Sequence, residues 1–248
     1  MTELIYGRNA VRECLRARRR HIHRLLLAQG IKPGPIVSDI TARAQRLNLP
    51  IQHVPRHTLN TRAAGHQGVA LETGRLPTLH LTDILSHSQK QGESAFILAL
   101  DHLEDPHNVG ALLRTAEAVG VHGVIIPARR AAQITPAVVN TSAGASEHLP
   151  IAVVPNMAQT LNALKTNNIW VIGVEKTAAA QPYHTADLNR ALTLVLGNEG
   201  KGLSRLVRQI CDALIALPMR GQLNSLNASV AGALALYEAW RARQFCGQ

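Results

Sequence analysis

Three short stretches of this sequence combine polar and glycine residues that could do chemistry, and each follows directly on an apolar run. The first is Asp105-Pro-His-Asn108-Val-Gly-Ala-Leu-Leu-Arg114. Asn108 is placed as a helix N-cap, and Val109, Leu112, Leu113, Ala116 and Val119 form one apolar stripe behind it. At about 100° per residue, Arg114 falls nearly opposite the centre of that stripe, so its guanidinium points away from the core. The second stretch is Gly197-Asn-Glu-Gly-Lys-Gly-Leu-Ser204. Its glycines let the backbone approach a ligand closely and present N–H donors at the start of a helix. A phosphate-cradling P-loop is excluded because Leu203 stands where its lysine belongs, and the glycine spacing runs opposite to a dinucleotide fingerprint. The third stretch is Leu217-Pro-Met-Arg-Gly-Gln-Leu-Asn-Ser225-Leu-Asn227-Ala-Ser229, with more polar groups than one helix cap requires.

These stretches need a scaffold, and the hydrophobic pattern supplies one. Apolar strand candidates at 95–100, 123–126, 151–154, 169–174, 192–196 and 213–217 alternate with helical stretches at 109–119, 157–167, 204–210 and 228–241. Near-continuous apolar strands separated by helices predict an α/β fold whose mostly parallel sheet is covered on both faces, with ligands at the carboxyl ends of the strands. The last helix carries Val230, Ala231, Leu234, Leu236, Tyr237 and Trp240 around most of its circumference, which predicts burial on two sides and a homodimer. Residues 1–75 alternate separately: helices at 8–18, 36–47 and near Leu59, with strands at 24–29, 51–54 and 68–73, predict a small α/β domain. Residues 76–94 are polar and read as a linker and entry segment, and 95–248 as the larger domain.

The formal charge of +10 sits almost wholly in the front third. Residues 1–75 hold 13 Lys and Arg against 4 Asp and Glu, whereas residues 76–248 hold 13 against 12. Arg12, Arg16, Arg18, Arg19, Arg20 and Arg24 form a basic cluster suited to a phosphate backbone. Tyr6 is the single aromatic residue before position 76, which disfavours modules that stack bases on a sheet. Cys14, Cys211 and Cys246 are scattered, and the histidines form no ligand spacing, so neither a disulfide framework nor a metal site is expected. The longest apolar runs fall far short of the roughly 20 residues that cross a bilayer, and the Arg-rich start lacks an apolar signal region. A cytoplasmic protein without membrane attachment is expected.

Taken in order and at these spacings, the three stretches resemble the SpoU/TrmH branch of the SPOUT methyltransferases. That branch transfers a methyl group from S-adenosylmethionine to a ribose 2′-hydroxyl in RNA. The shared patterns are D-P-x-N-x-G-x-x-x-R from Asp105 to Arg114, G-N-E-G-x-G from Gly197 to Gly202, and P-M-x-G-x-x-x-S-L-N-x-S from Pro218 to Ser229. Tyr6-Gly-Arg-Asn-Ala-Val resembles the start of the RNA-binding domain found in the RlmB subgroup, which methylates guanosine in 23S ribosomal RNA. Ala228 stands where the pattern more often has valine, a packing difference only.

The resemblance implies a deep trefoil knot at the carboxyl end, a homodimer, and S-adenosylmethionine held by Gly197, Leu217, Met219, Leu226 and Asn227. It implies catalytic roles for Arg114, Asn108, Glu199, Ser225 and Asn227, and the charge of the front third adds the expectation that Arg8, Arg12, Arg16, Arg18, Arg19 and Arg20 engage ribosomal RNA. A guanidinium rarely gives up its proton, so Arg114 is expected to hold substrate phosphate and polarise the 2′-hydroxyl, with a base role secondary. Asn108 and Glu199 would fix the geometry of Arg114 or the nucleotide, and Ser225 and Asn227 would bind the nucleotide or the donor's loop. A tRNA ribose methyltransferase, an antibiotic-resistance rRNA methyltransferase and a non-catalytic RNA-binding assembly protein are the alternatives.

Overall fold

The computed structural model describes residues 2–247. In chain order the first elements are β1 (Glu3–Tyr6), α1 (Arg8–Ala17), β2 (Ile22–Ala28), α2 (Pro35–Arg46), β3 (Ile51–Val54), α3 (Arg56–Asn60) and β4 (Val69–Thr73). There follow α4 (Leu81–Gln91), β5 (Phe96–Leu100), α5 (Pro106–Ala118), β6 (Gly123–Pro127), α6 (Pro136–Thr141) and β7 (Ile151–Val154). The chain closes with α7 (Met157–Thr166), β8 (Trp170–Val174), β9 (Gln181–Pro182), β10 (Leu192–Leu196), α8 (Arg205–Ile210), β11 (Ala213–Ala216) and α9 (Ala228–Ala242). These elements form two compact units: residues 1–77 with 134–148, and residues 78–133 with 149–248.

In the first unit the strands run in the order β1-β4-β2-β3, with β4 antiparallel to β1 and β2, and β2 parallel to β3. Ile5, Val11, Leu15, Leu25, Val37, Ile40 and Leu71 make one core, and Leu26, Val54, Leu59 and Ala70 make a second. Alternate strand residues face opposite sides, which is how one small sheet feeds both. Residues 134–148, which lie between β6 and β7 in the chain, belong to this unit: Val139 enters the first core. Buried Arg20 bonds Glu147 at 2.9 Å and Glu3 at 2.7 Å, while Glu13 receives Arg12, Arg16 and His148, each at 2.9 Å. Burial works against ionising Glu13, but these three partners outweigh it and hold its pKa below the ordinary value.

Arg20 therefore departs from the expected RNA-facing cluster. Its side chain is fully buried and committed to two carboxylates, because leaving a buried guanidinium unpaired would cost several kcal/mol. Arg19 is half-buried and donates to the Glu147 carbonyl. Arg8 reaches the Gln67 carbonyl, and Arg12 and Arg16 share Glu13. Among the described residues Arg18 alone of the six has no side-chain partner, and it ends α1 in a left-handed conformation.

The second unit is built on a seven-stranded sheet in the order β7-β6-β5-β10-β8-β11-β9, and every pairing in it is parallel. The strands β5, β6 and β10 are buried at every residue. Ile97, Ala99, Ile125, Leu161, Val171 and Val195 lie in one core cluster with Ile84 of α4. Residues 81–91 are thus a helix, where polar composition suggested a linker. His80 and Asp83 form a capping box, Leu81, Ile84 and Leu85 supply an apolar face, and Gly92 closes the helix in the left-handed region. The two-residue strand β9 is also absent from the apolar pattern. Among the described residues no helix is long and apolar enough to cross a membrane.

Candidate active site

All three chemistry-bearing stretches leave the carboxyl ends of parallel strands in the second unit: the first after β5, the second after β10, the third after β11. Because β10 lies beside β5 and β8, and β11 beside β8, their loops converge on one edge of the sheet. There the loops after β8, β10 and β11 line a cavity of about 1010 Å³, and the first stretch, after β5, lies outside its wall. Gly197, Glu199, Leu217, Met219, Ser225, Leu226 and Asn227 all contribute to its wall, so of the site residues expected in this unit only Asn108 and Arg114 lie outside it.

The turn after β10 is clipped shut. Asn198 and Gly202 exchange two backbone hydrogen bonds, at 3.0 and 2.9 Å, and the Asn198 carboxamide donates to the His102 carbonyl at 2.9 Å. Gly197 is required by this closure, because a Cβ there would lie 2.2 Å from the Gly202 carbonyl carbon. Two carboxylates hold the exit from the turn. Asp101, fully buried, accepts the Ser204 N–H at 2.7 Å and pairs with His102 Nδ1 at 2.6 Å. Glu175 accepts the Leu203 N–H at 3.2 Å and is clasped by Arg208 at 2.6 and 2.8 Å, a bond that raises the Arg208 pKa.

Asn108 is not the N-cap of its helix. Asp105 is: its carboxylate accepts the His107 N–H at 2.9 Å, and Pro106 occupies the first turn with φ already set. This start frees the Asn108 carboxamide, which is buried and donates to Asp105 at 3.0 Å and to Glu199. Glu199 is thereby tied to Asn108 rather than to Arg114. Arg114 is exposed on α5, outside the cavity wall, and has no ion pair among the described residues. Asn227 caps α9 through its side-chain oxygen, accepting from Ser229 and Val230, which leaves its amide hydrogens for other partners. Ser225 is exposed at the cavity.

Sequence reasoning missed Asp101, His102 and Glu175, and gave Asn198 no role beyond its place in the second stretch. Glu175 and Asp101 each follow immediately on a strand, β8 and β5, so the strand-end rule that located the three stretches would have reached them. Chemically, the edge offers a cavity lined in part by glycines, with an Asn108–Glu199 pair at its border. Among the described residues no group of three or more His, Cys, Asp or Glu side chains is arranged to hold a metal ion.

Comparison with known proteins gives concordant results. Residues 95–237 match the profile of the SpoU rRNA Methylase family, and residues 4–79 match that of RNA 2′-O ribose methyltransferase substrate binding. A Bacillus subtilis protein, YacO, provisionally named a TrmH family tRNA/rRNA methyltransferase, is 42% identical over 247 residues, covering 99% of this chain and 98% of that one. The crystal structure of an AdoMet-bound rRNA methyltransferase from Sinorhizobium meliloti superposes with a TM-score of 0.79 at 26% identity, covering 97% of this chain and 87% of that one. A TrmH/SpoU tRNA modifying enzyme from A. aeolicus superposes with a TM-score of 0.56 at 30% identity, covering 62% of this chain and 77% of that one.

Proposed function

The chain belongs to the SpoU rRNA methylase family as an S-adenosylmethionine-dependent RNA 2′-O-ribose methyltransferase, and from that premise we propose that its substrate is a guanosine of 23S ribosomal RNA. The same reading assigns it to the RlmB subgroup, acting in the cytoplasm as a homodimer. The observation that carries the reading is the front unit, a separate small sheet that holds most of the excess positive charge. The match to the ribosomal RNA enzyme extends along nearly the whole chain, whereas the match to the tRNA modifying enzyme covers a smaller share. The dimer rests on the stripe of Val230, Leu234 and Tyr237 on α9, each 45–48% exposed and spaced to lie on one helix face. A deep trefoil knot formed by the turns after β10 and β11 is part of the same proposal.

The cavity suits the methyl donor, since Gly197, Gly200 and Gly202 give its wall a stretch where backbone rather than side chain meets the ligand. Gly197, Leu217, Met219, Leu226 and Asn227 would hold S-adenosylmethionine, which supplies an activated methyl group. The protein's task is positioning, because a ribose hydroxyl is a weak nucleophile that must be aligned and its developing charge stabilised. Arg114, unpaired and exposed, binds the phosphate beside the target ribose and polarises the 2′-hydroxyl. Asn108 orients Glu199 at the cavity rim, Glu199 fixes the nucleotide, and Ser225 and Asn227 hydrogen-bond it. Arg8, Arg12, Arg16, Arg18 and Arg19 approach RNA phosphates from the front unit. Mass mapping of labelled methyl groups after incubation with unmethylated 23S rRNA and with tRNA tests the substrate: label on 23S guanosine supports it, and label confined to tRNA overturns it.

A further inference from the structure

We propose that Arg129 and Arg130 form a phosphate site on the catalytic unit, gripping the RNA strand that flanks the methylated ribose. The proposal rests on the RNA methyl-transfer reading above and adds a second anchoring point to it. Among the described residues of this unit the cations fall into two groups. Lys165, Arg190, Arg208 and Arg241 are ion-paired with Asp212, Asp187, Glu175 and Glu238, and Arg243 is spent on the Ser94 and Ala95 carbonyls. Lys90, Arg114 and Arg205 are unpaired on helices. The remaining unpaired cations are Arg129, Arg130, Lys176, Lys201 and Arg220, and each lies in a loop leaving the carboxyl end of a strand.

Lys176 and Lys201 border the cofactor cavity, whereas Arg129 and Arg130 do not. They leave β6, which β5 separates from β10 in the sheet. At about 4.8 Å per strand, the β6 loop stands roughly 10 Å from the β10 loop, on the far side of the Asn108 turn. A strand of RNA with its target ribose over that turn runs toward the two arginines. Their loop is fixed in place. Ala128 N–H donates to the Val154 carbonyl at 2.9 Å and Ala132 N–H to the Leu103 carbonyl at 2.8 Å, while the Gln133 carboxamide reaches the Pro127 carbonyl at 3.2 Å. Arg130 has φ 55°, a left-handed conformation that a non-glycine residue keeps only where its surroundings impose it. Both side chains are exposed. Of the nearby acids, Asp101 and Asp105 are committed to hydrogen bonds, and exposed Glu104 forms no ion pair with either arginine. Two held, unpaired guanidinium groups match phosphodiester oxygens, which they can bind in bidentate fashion.

The test is RNA binding by the full chain carrying Arg129→Ala and Arg130→Ala, measured against an unmethylated 23S rRNA transcript from 50 to 200 mM salt. Two phosphate contacts contribute about 1.4–1.8 to the slope of log affinity against log salt. Wild-type protein should therefore lose about tenfold more affinity than the variant over that fourfold range. Affinity for S-adenosylmethionine and the melting temperature should stay unchanged, and the conservative double variant, Arg129→Lys with Arg130→Lys, should recover most of the slope. An unchanged slope in the alanine variant, or a lower slope accompanied by lost cofactor affinity, overturns the proposal. Binding is read without methyl transfer, so failure of the methyltransferase reading would show separately, as absent turnover by the wild-type protein.

Discussion

Substituting Gly197 by alanine perturbs the turn after β10 at its tightest point. The new Cβ would meet the Gly202 carbonyl carbon at 2.2 Å, its oxygen at 2.3 Å and the Leu203 nitrogen at 2.4 Å, all backbone atoms that no side-chain rotation can move aside. Relief requires the turn to open, which breaks the two hydrogen bonds between Asn198 and Gly202. At about 0.5–1.5 kcal/mol each, the closed turn loses about 1–3 kcal/mol. Since 1.4 kcal/mol is about a factor of ten, affinity for S-adenosylmethionine should fall by roughly 5- to 150-fold. Isothermal titration calorimetry reads this directly, with thermal unfolding alongside to confirm that the fold is retained. Gly221→Ala, in the third loop, is the control: nothing lies within 4 Å of its Cβ position, and affinity should be unchanged. A folded Gly197→Ala protein that binds the donor as wild type does would refute the assignment of this turn to the cofactor.

Three further outcomes follow from the ionic and thiol chemistry. Arg20→Met leaves Glu147 buried without its partner and should destabilise the first unit by about 3–5 kcal/mol, read as a lower midpoint in urea; an unchanged midpoint would remove the buried pair from the account. Glu72 is held below its ordinary pKa of 4.5 by hydrogen bonds from Arg24 and Arg62 that outweigh burial, and Glu13 is lowered likewise. Such groups stabilise the fold fully above pH 4.5 and lose that contribution as pH falls through the lowered folded value, so acid titration should show stability declining below about pH 4.5. Glu72→Gln should be less stable at pH 7 and flatter in acid, and an unaltered acid limb would contradict this. Burial pushes the Cys14 thiol well up and Cys211 up to about 12, while Cys246 is exposed. Alkylation of the folded protein at pH 7.5 should therefore modify Cys246 first, with Cys14 reacting only on unfolding.

Much of the architecture was legible because parallel strands buried on both faces must be apolar throughout, as in Phe96–Leu100 and Leu192–Leu196. What escaped lacked that signature. β9 is only Gln181–Pro182, and α4 hides its apolar face among polar residues, although Ile84 packs so closely on Gly123 that a Cβ there would lie 2.4 Å from it. The membership of residues 134–148 in the first unit depends on contacts such as Arg20 with Glu147, which are 127 positions apart and leave no local pattern. The same contact explains why counting arginines placed Arg20 in an expected RNA-facing cluster although it is buried and paired: charge is visible in a sequence, but pairing is not. Within the site, the cavity-lining residues after β10 and β11 were readable from glycine and polar clusters, whereas the wall after β8, with Glu175, was not. The Asn108–Glu199 bond was not, because it joins two turns that only the insertion of β10 beside β5 brings together.

The most direct measurement is transfer of labelled methyl from S-adenosylmethionine to unmethylated 23S rRNA by the wild-type protein and by Arg114→Ala, followed by nuclease digestion and nucleoside analysis. The account predicts label recovered as a 2′-O-methylated guanosine with wild-type protein, and transfer lowered at least a hundredfold, about 2.7 kcal/mol, in a variant that still binds the donor. Label on a base, or transfer by Arg114→Ala at the wild-type rate, would contradict it.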